Sequence, residues 1–393
     1  MSKIIVGVIF ILMINSMSFA QFSVSSNVSS FYNDNLYRSP DKTGDWITNI
    51  GLILDYQASK YPVNLEVNPD YYFYASHPEQ NFWFPSLSAE YFPFLDKNKN
   101  WQFYSAMDAS FKLNKDDLKA YNYWQVRFSG GLYHDGSFAL QQISYQYQLR
   151  EYPDFSELSN RTHFFNWKLN KSFKTRTTLI TNLQISSRQY ESQTAYIVVT
   201  DTLEGTGSRG RGRREPPPRI ITHEVLLSSG PVELQQLAVA VRIAQNVWPN
   251  FGVFVQYLKS FNLSSTGEFQ NYGAYWGDEQ LFDDPLSYLR DQWSAQLTWM
   301  MPHQWQLRFS TVFNRKSYIK EKAYLNAEES TPGGELRKDQ KLDFTLTLGK
   351  SFFVKEKFTI NIRGQVFYTN NHSNSYWYNY QNLISGISIN LVY

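Results

Sequence analysis

The stretch YQNLISGISINLVY, Tyr380 to Tyr393, decides the fold. Counting back from its end, Tyr393, Leu391, Ile389, Ile387 and Leu383 share one parity, and Asn390, Ser388, Gly386 and Asn382 fill the other. Ser385 weakens the first set, and Ile384 and Val392 blur the second. Successive side chains of a strand point to opposite sides, so such alternation describes a strand with oil on one face and water on the other.

The same alternation runs through the chain. Phe22, Val24, Val28 and Tyr32 form one apolar side. Ile50, Leu52, Leu54 and Tyr56 then oppose Asn49, Asp55 and Gln57, and Trp305, Leu307, Phe309 and Phe313 oppose Gln306, Arg308, Ser310 and Asn314. One parity slip, near Gln141-Gln142, reads as a bulge. About sixteen such strands follow one another. Tight turns, as at Lys60-Tyr61-Pro62 and Pro249-Asn250, alternate with longer links centred on Ser39, His77, Asp116, Asp154, Gly210, Tyr275, Glu328 and His372. The longest are expected near 195–228, 264–287 and 320–338. Trp46, Trp83, Trp101, Trp248, Trp305 and Trp377 sit near strand ends, where aromatic belts meet lipid headgroups. Aromatics make up 17% of the residues, roughly double the usual share.

Residues 1–20 read as a cleaved signal peptide: Lys3, an apolar run from Ile4 to Met13, then Ser18-Phe19-Ala20. After it no run approaches the ~20 apolar residues of a spanning helix, and mean hydropathy is −0.45. Half-polar barrel strands account for both facts. The fold expected is all-β: one transmembrane antiparallel up-and-down β-barrel over 21–393, of about sixteen strands, with no room for an N-terminal plug domain.

A final strand ending on an aromatic residue resembles the C-terminal signal of bacterial outer-membrane β-barrels. That resemblance implies a porin-like barrel in the outer membrane and recognition of Ile387, Ile389, Leu391 and Tyr393 by the barrel-insertion machinery. The stretch from Tyr32 to Tyr56 is similar to the opening of uncharacterised barrels of the Bacteroidota, and carries no residue roles with it.

The polar parity segregates charge. Strands two to five supply Asp55, Glu66, Asp70, Glu90 and Asp108, with Lys112 the one base. Later strands supply Arg127, Arg150, Lys168, Arg188, Arg242, Arg308, Lys341 and Arg363, with Asp343 the one acid. In a sixteen-strand ring the acidic arc faces Arg242 and Arg308, giving a transverse field across a wet lumen. This resembles the constriction of general porins. The same charges would also serve as pairs holding a filled interior together.

Two loops carry opposite charge. One has Arg209, Arg211, Arg213, Arg214 and Arg219; the next has Glu268, Asp278, Glu279, Asp283 and Asp284. They are expected to clasp as a lid, or the basic one to bind lipopolysaccharide phosphates. Catalysis finds little support. There is no cysteine, the six histidines lack metal spacing, and His134-Asp135-Gly136-Ser137 is a turn rather than a triad. No cofactor, metal or nucleic-acid partner is expected.

The function expected is passage of small polar solutes through a charged lumen. Tyr72, Tyr74, Tyr104 and Tyr123 on the polar parity also suit an export conduit for a polysaccharide. A closed adhesive barrel binding partners through its loops is the third reading.

Overall fold

A computed structural model describes residues 20–393 except 59–60, 97, 99, 192, 204–218, 231, 267–282, 330–331 and 356–357. The proposed signal peptide therefore lies outside the described residues, apart from Ala20, which opens β1. Eighteen strands are described, β1 (Ala20–Asn33) to β18 (Tyr380–Val392). Sixteen close into one antiparallel barrel in chain order, with β1 paired to both β2 and β18. The other two, β10 (Gln193–Leu203) and β11 (Arg219–Gly230), pair only with each other as a hairpin between β9 (Thr177–Tyr190) and β12 (Glu233–Trp248). Closure matters because a bilayer offers no hydrogen bonds; every ladder group must find its partner within the sheet.

The register confirms which side chains share a face. Val28 lies opposite Ile389 and Ile50, and the chain of pairs continues around the barrel. Ile387, Ile389, Leu391 and Tyr393 are all exposed on the outside. So are Ile50, Leu87, Phe128, Ile143, Val255, Leu346 and Val366, one or more from strand after strand. A continuous outward apolar surface on a closed barrel is a lipid-facing wall. Trp101, Trp248, Trp299 and Trp305 ring the end that carries the short turns, and Trp46, Trp83, Trp293 and Trp377 ring the end that carries the long loops.

Three sequence expectations need correction. The slip at Gln141-Gln142 is no bulge: β7 (Leu140–Glu151) pairs without interruption to β6 (Tyr123–Asp135) and β8 (Asn160–Ser172). Gln141 simply faces outward beside the short-turn rim, where headgroups tolerate a polar side chain. The segment near 195–228 carries the β10–β11 hairpin rather than loop alone. His372 belongs to β17 (Phe358–Ser373), and the connection there begins after it.

Candidate functional site: the lumen and its outer mouth

The interior divides by height. Towards the long-loop rim the inward side chains are buried under folded-in loops; towards the short turns they are half-exposed.

The acidic arc lies in the half-exposed part. Asp55 of β2 (Asp45–Ala58) and Glu66 of β3 (Val63–Tyr74) are direct cross-strand partners. The row continues from Glu66 through Ser88 of β4 (Phe82–Tyr91) to Asp108 of β5 (Trp101–Asn114), then to Arg127. Glu90 sits one step nearer the short turns, opposite Asn64. Asp70 sits deeper, over Gly51, where any Cβ would collide with its carboxylate. Like charges placed directly opposite destabilise a sheet, so this arrangement carries a stability cost. The half-exposed position of these side chains lowers that cost.

Beside the acids lies a wall of the other kind. A recess of about 630 Å³ runs along β7, β8, β9, β12 and β13 (Phe251–Thr266), lined by Lys168, Arg242 and the amides Gln146, Asn182, Gln184 and Gln256 among others. No carboxylate is among its lining residues. Arg242 is preset there: its Nε donates to Gln256 Oε1 at 2.7 Å and its guanidinium lies 4.4 Å from the Phe254 ring centre. Tyr104 joins this recess to a smaller one that holds Glu90, Asp108 and Arg127. Its ring lies against Gly131, where a Cβ would come within 2.6 Å of it, and packs on Tyr133. Arg308 of β15 (Trp305–Lys322) and Arg363 of β17 are exposed on the lumen parity.

Two bases assigned to the lumen wall do structural work in the mouth instead. Arg150 donates through Nε to Gln125 at 2.9 Å and lies over the Tyr123 ring, beside a cluster of buried Tyr123, Tyr152 and Leu158 against which half-buried Phe84, Tyr121 and Phe155 pack. Arg188 is buried, donates to Thr162 Oγ1 at 3.0 Å and meets Asp284 at 2.5 Å.

Asp283 and Asp284 belong to the acidic loop, and the loop's described end is fastened to the barrel wall. Asp284 also accepts from the Tyr190 hydroxyl at 2.7 Å. Asp283 is paired with Lys316 and accepts from the Tyr318 hydroxyl. Burial alone would raise the Asp283 carboxyl, but Lys316 and Arg337 beside it, with these hydrogen bonds, hold it at about 2. Tyr318 continues to Asp339, which pairs with Arg337; Arg337 reaches Glu321 and is sandwiched between the Tyr318 and Tyr378 rings. Sequence reading missed Lys316, Tyr318, Arg337 and Asp339. The one sequence signal for Arg337 and Asp339 was their parity, which they share with Lys341 and Asp343.

The expected clasp between charged loops thus resolves differently for the residues in view. Asp283 and Asp284 bind bases of the wall. Arg209, Arg211, Arg213, Arg214, Glu268, Asp278 and Glu279 lie outside the described residues, and Arg219 opens β11.

A closed even-numbered barrel, oily outside, polar inside, short turns at one rim and long loops at the other, is the build of bacterial outer-membrane β-barrels. The lipid bilayer is its surroundings. No protein-family model matches the sequence, and no curated protein matches it. Among solved structures the chain is similar in fold to a bacterial polysaccharide outer membrane secretin, with 7% identity, 94% of this chain and 97% of that one covered, and a TM-score of 0.47. It is also similar to Pseudomonas aeruginosa OpdK with vanillate, with 9% identity, 95% and 99% covered, and a TM-score of 0.46. For Acinetobacter baumannii OccAB1 the values are 9%, 95% and 96%, and 0.47.

Proposed function

We propose that the barrel is an outer-membrane channel for small polar solutes, and that its charged lumen ranks them by charge. The supporting observation is that one lumen holds two walls of opposite character. Asp55, Glu66, Glu90 and Asp108 stand on one, and the carboxylate-free recess with Lys168 and Arg242 stands on the other. In a wet passage walled by low dielectric, such charges act strongly on a passing ion. A solute with separated charges, such as a small zwitterion, aligns between the walls. A solute of one sign follows the wall of the other.

The loops packed into the mouth are the narrow part of the path on this reading, and the Arg188–Asp284 and Lys316–Asp283 pairs keep them there. Liposome swelling tests the proposal. Proteoliposomes should swell faster in small zwitterions than in uncharged sugars of the same size, and the difference should shrink in Arg242→Gln. Swelling that tracks solute size alone would leave the lumen charge without a transport role. The packed mouth also favours a second reading, a closed barrel whose loops bind a partner; it predicts no swelling at all.

A further inference from the structure

Above the outer aromatic belt the lipid-facing wall differs from sector to sector. On β13, β14 (Tyr288–Met301), β15 and β16 (Leu336–Lys355), the outward residues Lys259, Asp291, Arg315 and Gln340 form one row, each opposite the next across the ladder. The row one step nearer the membrane centre is Tyr257, Trp293, Phe313 and Leu342. A charge on a barrel's lipid face is costly at the midplane and nearly free at the interface. Immediately above Trp293, the charged row stands at headgroup level.

Its charges are held in place. Lys259 Nζ lies 3.3 Å from Asp291 Oδ1, and the Tyr257 hydroxyl donates to the same oxygen at 2.6 Å. Lys259 also lies 5.7 Å from the Phe261 ring centre, and the exposed Arg315 guanidinium 5.5 Å from that of Phe313. Two bases flank one acid, and one step further out Lys338 lies 3.9 Å from Glu335, so the excess at the row is one positive charge. The sector of β8, β9 and β12 is different. There Arg161 faces Glu191 at 3.5 Å and Glu233 opens β12, so positive charge is not in excess.

We propose that the β13–β16 row binds a phosphate group of an outer-leaflet glycolipid, with Lys259 and Arg315 taking its oxygens and its acyl chains lying on Trp293 and Phe313. The ammonium and guanidinium supply charge-assisted donors that suit phosphate oxygens. Asp291 and Tyr257 fix Lys259 towards the centre of the row instead of letting it snorkel into water. A site with one net positive charge holds a free phosphate poorly in salt. A lipid phosphate adds the apolar contact of the rings below, which is why the lipid is the occupant.

The test uses the full-length folded protein in neutral detergent, with bound lipids counted by native mass spectrometry. Lipid A carrying its phosphates is compared with dephosphorylated lipid A of the same acyl composition. The wild type should prefer the phosphorylated lipid about tenfold, near the gain expected from one to two bases at a charged surface. Inorganic phosphate in large excess should not displace it. Lys259→Gln with Arg315→Gln should lose the preference and keep wild-type ion selectivity, since neither residue faces the lumen. Equal retention of the two lipids by the wild type overturns the proposal without any variant. Displacement by inorganic phosphate would make this an ordinary anion site and overturn the lipid assignment. So would a double variant that keeps the preference, or one whose only change is in oligomeric state, which marks a contact between copies.

Discussion

Arg188 and Asp284 meet in a place where neither has water to fall back on; the Asp284 side chain is fully buried. Removing one partner of a buried pair leaves an uncompensated charge and destabilises by ~3–5 kcal/mol. Arg188→Leu should therefore loosen the loop end at 283–287 far more than it unfolds the barrel. Hydrogen exchange over 283–290 checks this: protection should fall there while the strand centres keep theirs. Asp283 gives a pH signature. An unfolded aspartate titrates at ~3.9, and this one at about 2 when folded, so its contribution is complete above ~4 and is lost as pH falls through about 2. Loop protection should be flat from pH 7 to about 4.5 and fall only in stronger acid. Asp283→Asn should weaken it from pH 7 down to ~4, match the wild type in strong acid and remove the acid step.

These residue-scale contacts were the least legible part of the sequence. Asp283 and Asp284 read as part of an acidic loop that would clasp the basic one, because nothing in their neighbourhood names Lys316 or Arg188 as partners. Such pairs depend on how loops fold back over the mouth, which periodicity does not encode. Arg150 and Arg188 looked like lumen charges for the same reason: parity tells which way a side chain points, not what covers it.

At the scale of strands, the sequence was far more readable. A strand between lipid and water has to alternate, and a register slip of one would turn every side chain to the wrong solvent. The parity of β18, β2 and β15 therefore carried over to the structure residue by residue. The misread bulge in β7 came from Gln141, a polar residue on the outward parity at a rim. The β10–β11 hairpin escaped because it is not part of the barrel, so neither lipid nor lumen imposes a pattern on it. The lipid face makes its own prediction. Ile387→Arg, near the centre of β18, should cost ~2–4 kcal/mol in urea titrations of folding into vesicles, and Tyr393→Arg at the rim about 0–1. Equal costs at the two positions would contradict the placement of the membrane. Gly386→Ala tests the inner face, since a Cβ there would collide with Phe31 and the Ser30 backbone. It should destabilise folding although alanine is no larger than its neighbours.

For the whole molecule, the count of barrel strands and the alternation of short turns with long loops were both legible, because each strand had its own solvent pattern and its own turn. The segregation of charge along the polar parity was visible too, as a list of residues. What the list did not contain was height: the acids, Arg127 and Arg242 stand in the half-exposed part, and Arg150 and Arg188 are taken up by the packed mouth. The electrostatic account therefore rests on fewer bases than the sequence offered. It predicts that Arg242 and Arg308, across the ring from the acids, govern ion preference, and that Arg188 governs conductance through the loops.

The direct test is conductance of the refolded protein in a planar bilayer under a salt gradient, reading the reversal potential. The account predicts steady channels whose preference moves towards cations in Arg242→Gln with Arg308→Gln, and towards anions in Asp55→Asn with Glu66→Gln. A silent bilayer despite verified insertion, or open channels whose reversal potential ignores both double variants, would contradict it.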